Sequence, residues 1–323
     1  MRIIEPVEIT PSMAVMEAFL VEPNAEPLVV QVGQAFQVAS MLTNVPEADN
    51  PLWVSTKSYA VGEIVMLEHR NYEALVANSN KDPTGTATDP PTWLDLGPTN
   101  RWRMFDDKIG TVTTNPESIS LTLAPGRAVD SLAFFGLDAA SIHVRVVDPY
   151  QGIVYESSVS PVSTDGINDW YEYFFAAVEV NEDFVLLDVP VGSYGSIEIN
   201  VVKPAGIARV GALILGKAAV LGEALYGTSV GITDYSRKER DDFGNTVIVE
   251  RDYSKRADFD VMVPTSMVSQ VQRLLSKHRA RPLVWIGEAS LQSTILYGYY
   301  KEFNLVISGP TVSDCTISVE GLI

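Results

Sequence analysis

At 323 residues, with 46% hydrophobic and 20% charged side chains, the chain is long enough for two to three cored domains and too apolar for wholesale disorder. Its 41 acidic against 23 basic residues leave a formal net charge of −18, which repels phosphate backbones and anionic headgroups and excludes nucleic acid and membrane surfaces as expected partners. The single cysteine, Cys315, excludes an intrachain disulfide framework and a cysteine-based zinc site, so packing has to hold the fold.

The first residues include Glu5 and Glu8 and lack the apolar run of a signal peptide, which predicts synthesis in the cytoplasm. Residues 1–48 mix short apolar runs, such as 27–32, with Pro and Glu, and predict strands plus a docking arm. Pro46, Pro51 and an acidic cluster then break the chain at 44–51. From 49 to 98 the sequence is aromatic and dense in turn formers, and predicts a miniature β domain whose rings supply much of its core. Residues 99–222 carry strand-like runs at 118–123, 131–135, 142–147, 170–176, 184–188, 196–202 and 212–215, spaced as in a jelly-roll-like antiparallel sandwich. In 170–176, Trp170, Glu172 and Phe174 alternate with Tyr171, Tyr173 and Phe175, which predicts a central strand or a subunit contact.

Residues 223–323 are expected to form an α+β domain. Mixed charge over 234–260, as at Arg237 to Asp242, suits exposed paired strands protected against aggregation. A helix is predicted after Pro264 and Thr265, with Val268, Val271, Leu274 and Leu275 as its apolar stripe and Lys277, His278 and Arg279 at its C-terminal end. Strands are predicted at 283–286, 296–300, 304–308 and 315–319. The apolar stretch 207–225 is broken by Arg209, Lys217 and Glu223, so it is too charged to span a bilayer.

Trp53, Tyr59, Gly62, Glu63, Val65, Asn71, Tyr72, Asp82, Pro83 and Trp93 follow one another in a pattern that resembles the small chitin- and cellulose-binding modules of carbohydrate-binding families 5 and 12. Glu63 stands where those modules commonly have Asp. The junction of Val45, Pro46 and Glu47 with 93–106 resembles structural proteins of tailed bacteriophages, in which a module of this kind sits ahead of a sandwich domain. The resemblance implies a mainly β, multidomain virion protein of the tail tip or baseplate, made in the host cytoplasm. It further implies tail-protein partners, a homo-oligomer and contact with host-surface glycans, with neither cofactor nor metal. Its candidate sugar-binding residues are the rings Trp53, Tyr59, Tyr72 and Trp93, whose faces can cover pyranose C–H groups, with Glu73, Asn78 and Asn80 as polar partners. The bland alternative is that all four rings are core. Two further readings are a polysaccharide-degrading enzyme with an accessory binding module and a free-standing lectin-like adhesin.

Enzymatic motifs are weak. Gly227, Ser229 and Gly231 match a nucleophile elbow, with Asp260 and His278 following in hydrolase order, but the residues after Ser229 are charged and β-like where a packed helix is required. Residues 211–218 imitate a phosphate loop and fail at Ala218, where Ser or Thr should stand, so a strand is expected. His69, His143 and His278 are too scattered for a histidine metal site. The adjacent acids Asp106-Asp107 and Asp241-Asp242 would point to opposite strand faces, and Asp106 is expected to cap a turn or bridge Arg101 or Arg103. No catalytic residue is assigned.

Overall fold

The computed structural model describes residues 1–9, 42–85, 90–163, 169–175, 180–240, 244 and 246–323. The apolar run 27–32 and the pair Asp241-Asp242 lie outside these residues. The N-terminal strand Arg2–Pro6 organises the fold. Successive strand residues point to opposite faces, so Ile3 enters one core and Ile4 another, both fully buried. This strand pairs antiparallel with Ala212–Val220 on one side and Leu283–Ile286 on the other.

It thereby joins two halves of a ten-stranded sheet. The order runs from Phe184–Leu186 through Ser131–Phe135, Ala212–Val220, Arg2–Pro6, Leu283–Ile286, Ile295–Val306, Val312–Gly321 and Tyr253–Pro264 to Glu223–Ala224. Ser229–Asp234 pairs with Tyr253–Pro264 off that path. The sheet is continuous across the boundary expected at 222/223, because an N-terminal strand supplies the pairing that bridges it. Gly216 lets this happen: a Cβ there would overlap the carbonyl of Glu5 on the neighbouring strand.

A five-stranded sheet, ordered Gly152–Val159, Ser141–Asp148, Ser196–Val210, Thr113–Leu123 and Leu42–Thr43, covers one end of the large sheet. Its inward residues, among them Ile119, Leu121, Ile142, Val144, Ile197 and Ile199, meet Leu132, Phe134, Leu213 and Leu215. This is the expected sandwich, and each such side chain contributes about 1.5–3 kcal/mol on burial. With 53% strand against 8% helix, the chain is mainly β.

The predicted helix is present as Val268–Lys277 after a 3-10 turn at Thr265–Met267, and it lays Val271 and Leu275 onto the core of Phe259, Trp285 and Ile317. The two strands expected at 296–300 and 304–308 merge into one, Ile295–Val306, which ends two residues short of 308 and has a register shift between Tyr300 and Glu302. The expected strand at 170–176 is instead the short helix Trp170–Phe175. Spacing of four pairs Trp170 with Phe174, centroids 6.4 Å apart, and Tyr171 with Phe175, 4.7 Å apart, a helical pattern that a run of aromatics satisfies as readily as alternation. These four rings are exposed, so they make no strand core.

Candidate functional site

The module spanning 49–98 is built on a three-stranded sheet, Ile64–Leu67, Arg70–Ala74 and Trp93–Pro98, with a short pair of Ser58–Tyr59 and Asn78–Ser79 beside it. Its core is Tyr59, Val65, Tyr72 and Ala74, against which Trp53, Leu67 and Trp93 pack. The four candidate rings therefore divide. Tyr59 is 2% exposed and Tyr72 6%, so neither offers a ring face to a sugar. The Tyr59 hydroxyl donates to the Val54 carbonyl and accepts the Val54 N–H, fixing the turn that carries Trp53. Burial, the largest cause, and the nearby Asp95 carboxylate push the Tyr72 phenol up from its ordinary value.

Trp53 and Trp93 are half-buried and keep part of each ring at the surface. Trp93 packs edge-on against Tyr59, centroids 5.3 Å apart at 69°, and its Nε1 donates to the Lys81 carbonyl over 2.9 Å, which locks the indole over the turn at 80–81. Exposed Asn80 holds a positive φ of 54° in that turn. Asn78 stands opposite Tyr59 in the ladder and donates to the Val76 carbonyl. Trp53 Nε1 and Asn78 Oδ1 are buried without a hydrogen-bonding partner among the described residues.

Glu73 is on the wrong side. It pairs with Ile64 and Leu94, whereas Tyr72 and Ala74 alternate to the other face, where Trp93 lies opposite Ala74. The geometry brings together Trp93, Asn78 and Asn80, places Trp53 on the same small core, and separates Glu73 from them.

Sequence reasoning missed Lys57 and the bracing role of Glu63. Lys57 sits 4.8 Å from the Tyr59 ring centroid and pairs with Glu63. Glu63 accepts the Ala60 N–H over 2.8 Å, and that bond, followed by Lys57, holds its carboxyl below the usual carboxylate range. Glu63 braces the turn between 60 and 63, a role for which the extra methylene over Asp is no obstacle.

The module is pinned to the sandwich by Glu47. Its carboxylate accepts from Thr99 Oγ1 at 2.8 Å, meets His69 Nδ1 at 2.9 Å and faces Arg101 at 3.4 Å, while Arg101 Nε donates to the Val45 carbonyl. Asp49 accepts the Asn100 N–H, and His69 lies 4.7 Å from the Trp102 ring. Arg101 is thus used here, and Asp106 turns instead to Thr111 and the Lys108 N–H, capping a turn.

The hydrolase-like trio is not assembled. The Ser229 hydroxyl donates to Asp258, while His278 Nε2 lies 3.0 Å from Glu5. Residues 212–220 form a strand, as expected from the failed phosphate loop. On the outer face of the five-stranded sheet, a trough of about 830 Å³ is lined by Asn44, Ser120, His143, Arg145, Glu198 and Asn200. Its Glu198 is tied to Arg145, whose Nε donates over 2.7 Å, and His143 is bracketed by Ser158 and Ser141.

No family model matches the sequence, and no curated protein matches it. Among solved structures, an F5/8 type C domain from a Bacteroides fragilis protein aligns at 10% identity and TM-score 0.26, over 37% of this chain and 82% of that one. A chitosan-binding module derived from a chitosanase/glucanase of Paenibacillus sp. IK-5 aligns at 9% identity and TM-score 0.25, over 36% of this chain and 83% of that one.

Proposed function

We propose that the chain is a structural component of a phage tail tip or baseplate whose miniature domain at 49–98 contacts host-surface glycans through Trp53 and Trp93. The observation that carries the glycan half is the division of the rings: Tyr59 and Tyr72 complete the core, freeing part of both indoles to face solvent. An indole held by a hydrogen bond and a ring contact is a preorganised platform for a sugar face, losing little conformational freedom on binding. Exposed Asn80, next to the Lys81 carbonyl that holds the Trp93 indole, supplies an amide for the sugar.

The structural half is supported by the junction of Glu47 with 99–103, which fixes the module's pose on a scaffold of sheets. Individually weak sugar contacts then gain from the copy number of a tail assembly, because every module points the same way. Glycan binding is tested by titrating the purified chain with oligosaccharides released from host envelopes; saturable binding supports the reading, and a flat response across all of them ends it. The tail assignment is tested by gold-labelled antibody on intact particles, with label expected at the distal tail and label confined to non-virion protein counting against it.

A further inference from the structure

Past Asp234 and Tyr253 the chain leaves the large sheet as a ribbon. Arg237–Arg240 pairs antiparallel with Thr246–Val249, from Arg237 opposite Val249 to Arg240 opposite Thr246. Among the described residues neither strand pairs with any other. The ribbon continues the pairing of Ser229–Asp234 with Tyr253–Pro264 through the Tyr235 N–H and the Asp252 carbonyl, and beyond that anchor it has only two strands and no core of its own.

The two edges of this ribbon differ in kind. Arg237, Lys238, Glu239 and Arg240 are all charged, and ion pairs of Arg237 with Glu239 and Lys238 with Asp234 keep that edge dressed. Charged edges are how sheets refuse new strands. The opposite edge, Thr246, Val247, Ile248 and Val249, has no charge and is β-branched throughout, the composition that best fits a pleated, half-buried surface. Yet Val247 is 53% exposed, Ile248 64% and Val249 47%. One edge is closed to pairing and the other is open.

We propose that Thr246–Val249 pairs antiparallel with the same strand of a second copy of this chain across a twofold axis, making one four-stranded sheet from two ribbons. Charge selects that occupant. Between Asp234 and Tyr253 the chain holds four basic side chains (Arg237, Lys238, Arg240, Arg251) and five acidic ones (Glu239, Asp241, Asp242, Glu250, Asp252), so the arm carries a net charge of only −1 on a chain of net charge −18. It is therefore a place where two copies can approach without the repulsion of their acidic bodies. Self-pairing of an uncharged strand sets no like charges opposite each other. It also turns both Arg237–Arg240 edges outward, so the twofold contact closes and does not propagate into a filament.

The test uses the full chain. Sedimentation over a range of concentrations is expected to give a reversible dimer of the 35.3 kDa chain. The double substitution Val247→Lys with Val249→Lys is expected to yield folded monomer whose far- and near-ultraviolet dichroism matches the wild type, since neither side chain belongs to a core. Cys315 is buried, so an introduced Ile248→Cys supplies the accessible thiol, and a short bis-maleimide is expected to join two chains through it. Tyr150→Cys, exposed beside the five-stranded sheet, is expected to leave chains unlinked. The proposal is overturned by a wild-type monomer at every concentration, by a dimer that survives both lysines, or by cross-linking as strong from position 150 as from 248.

Discussion

Replacing Glu47 by Ala should release the miniature domain from the sandwich. The Glu47 side chain is 17% exposed and serves three partners, of which Thr99 is fully buried while Arg101 and His69 still reach water. Hydrogen bonds to a charged acceptor are worth about 1.5–3 kcal/mol net, and removal of a buried charged partner about 3–5 kcal/mol. Solvent rescue of two of the three partners brings the expected loss to about 2–3 kcal/mol of junction stability. At 1.4 kcal/mol per tenfold, this corresponds to roughly 30- to 150-fold more frequent local opening. Hydrogen exchange at the amides of Thr99, Trp102 and Arg103, which bond to the carbonyls of His69 and Thr99, reads that opening directly. Glu47→Gln keeps an acceptor for Thr99 and should cost about 1 kcal/mol. Equal exchange rates in wild type and Glu47→Ala would refute the idea that this carboxylate fixes the module's pose.

Leu275→Ala should destabilise the chain by about 2–5 kcal/mol in urea unfolding, because Leu275 is fully buried where the helix Val268–Lys277 meets the sheet. Gly298→Ala should cost about 1–3 kcal/mol or prevent folding, since an added Cβ would overlap the Glu320 carbonyl on the adjacent strand; circular dichroism and yield of soluble protein report it. Glu320 accepts from Lys301, Tyr235 and Tyr299, and Lys301 above all holds its carboxyl below the usual range. A carboxyl depressed in the folded state contributes stability above its ordinary value near 4.5 that is lost as pH falls through the folded value. Glu320→Gln should therefore flatten the acid limb of a plot of melting temperature against pH, with little change in slope near neutrality.

Much of the fold was legible because local pattern and packing agree. Ile142, Val144 and Val146 alternate inward along Ser141–Asp148, and Leu283–Ile286 is apolar throughout because both of its faces are covered. Pairing between distant strands was not legible: nothing local to Arg2–Pro6 marks it as the strand that joins two halves of a sheet, since its partners lie more than 200 residues away. The aromatic run at Trp170–Phe175 misled because period two and spacing of four both fit six consecutive bulky residues. At the candidate site, ring identity alone could not separate Tyr59 and Tyr72, which close the core, from Trp53 and Trp93, which border it. The alternation that removes Glu73 from the rings was readable once Tyr72 was placed inward.

Retention on immobilised host-envelope glycan, compared between the wild-type chain and variants carrying Trp53→Ala or Trp93→Ala, tests the central claim most directly, provided the near-ultraviolet dichroism of each variant matches the wild type apart from the lost indole. Trp93→Leu, which keeps apolar packing against Tyr59 while removing the ring platform, separates binding from folding. The account predicts retention of the wild-type chain and at least tenfold weaker retention of all three variants, about 1.4 kcal/mol or more per stacking ring lost. Folded variants retained as well as wild type would contradict it.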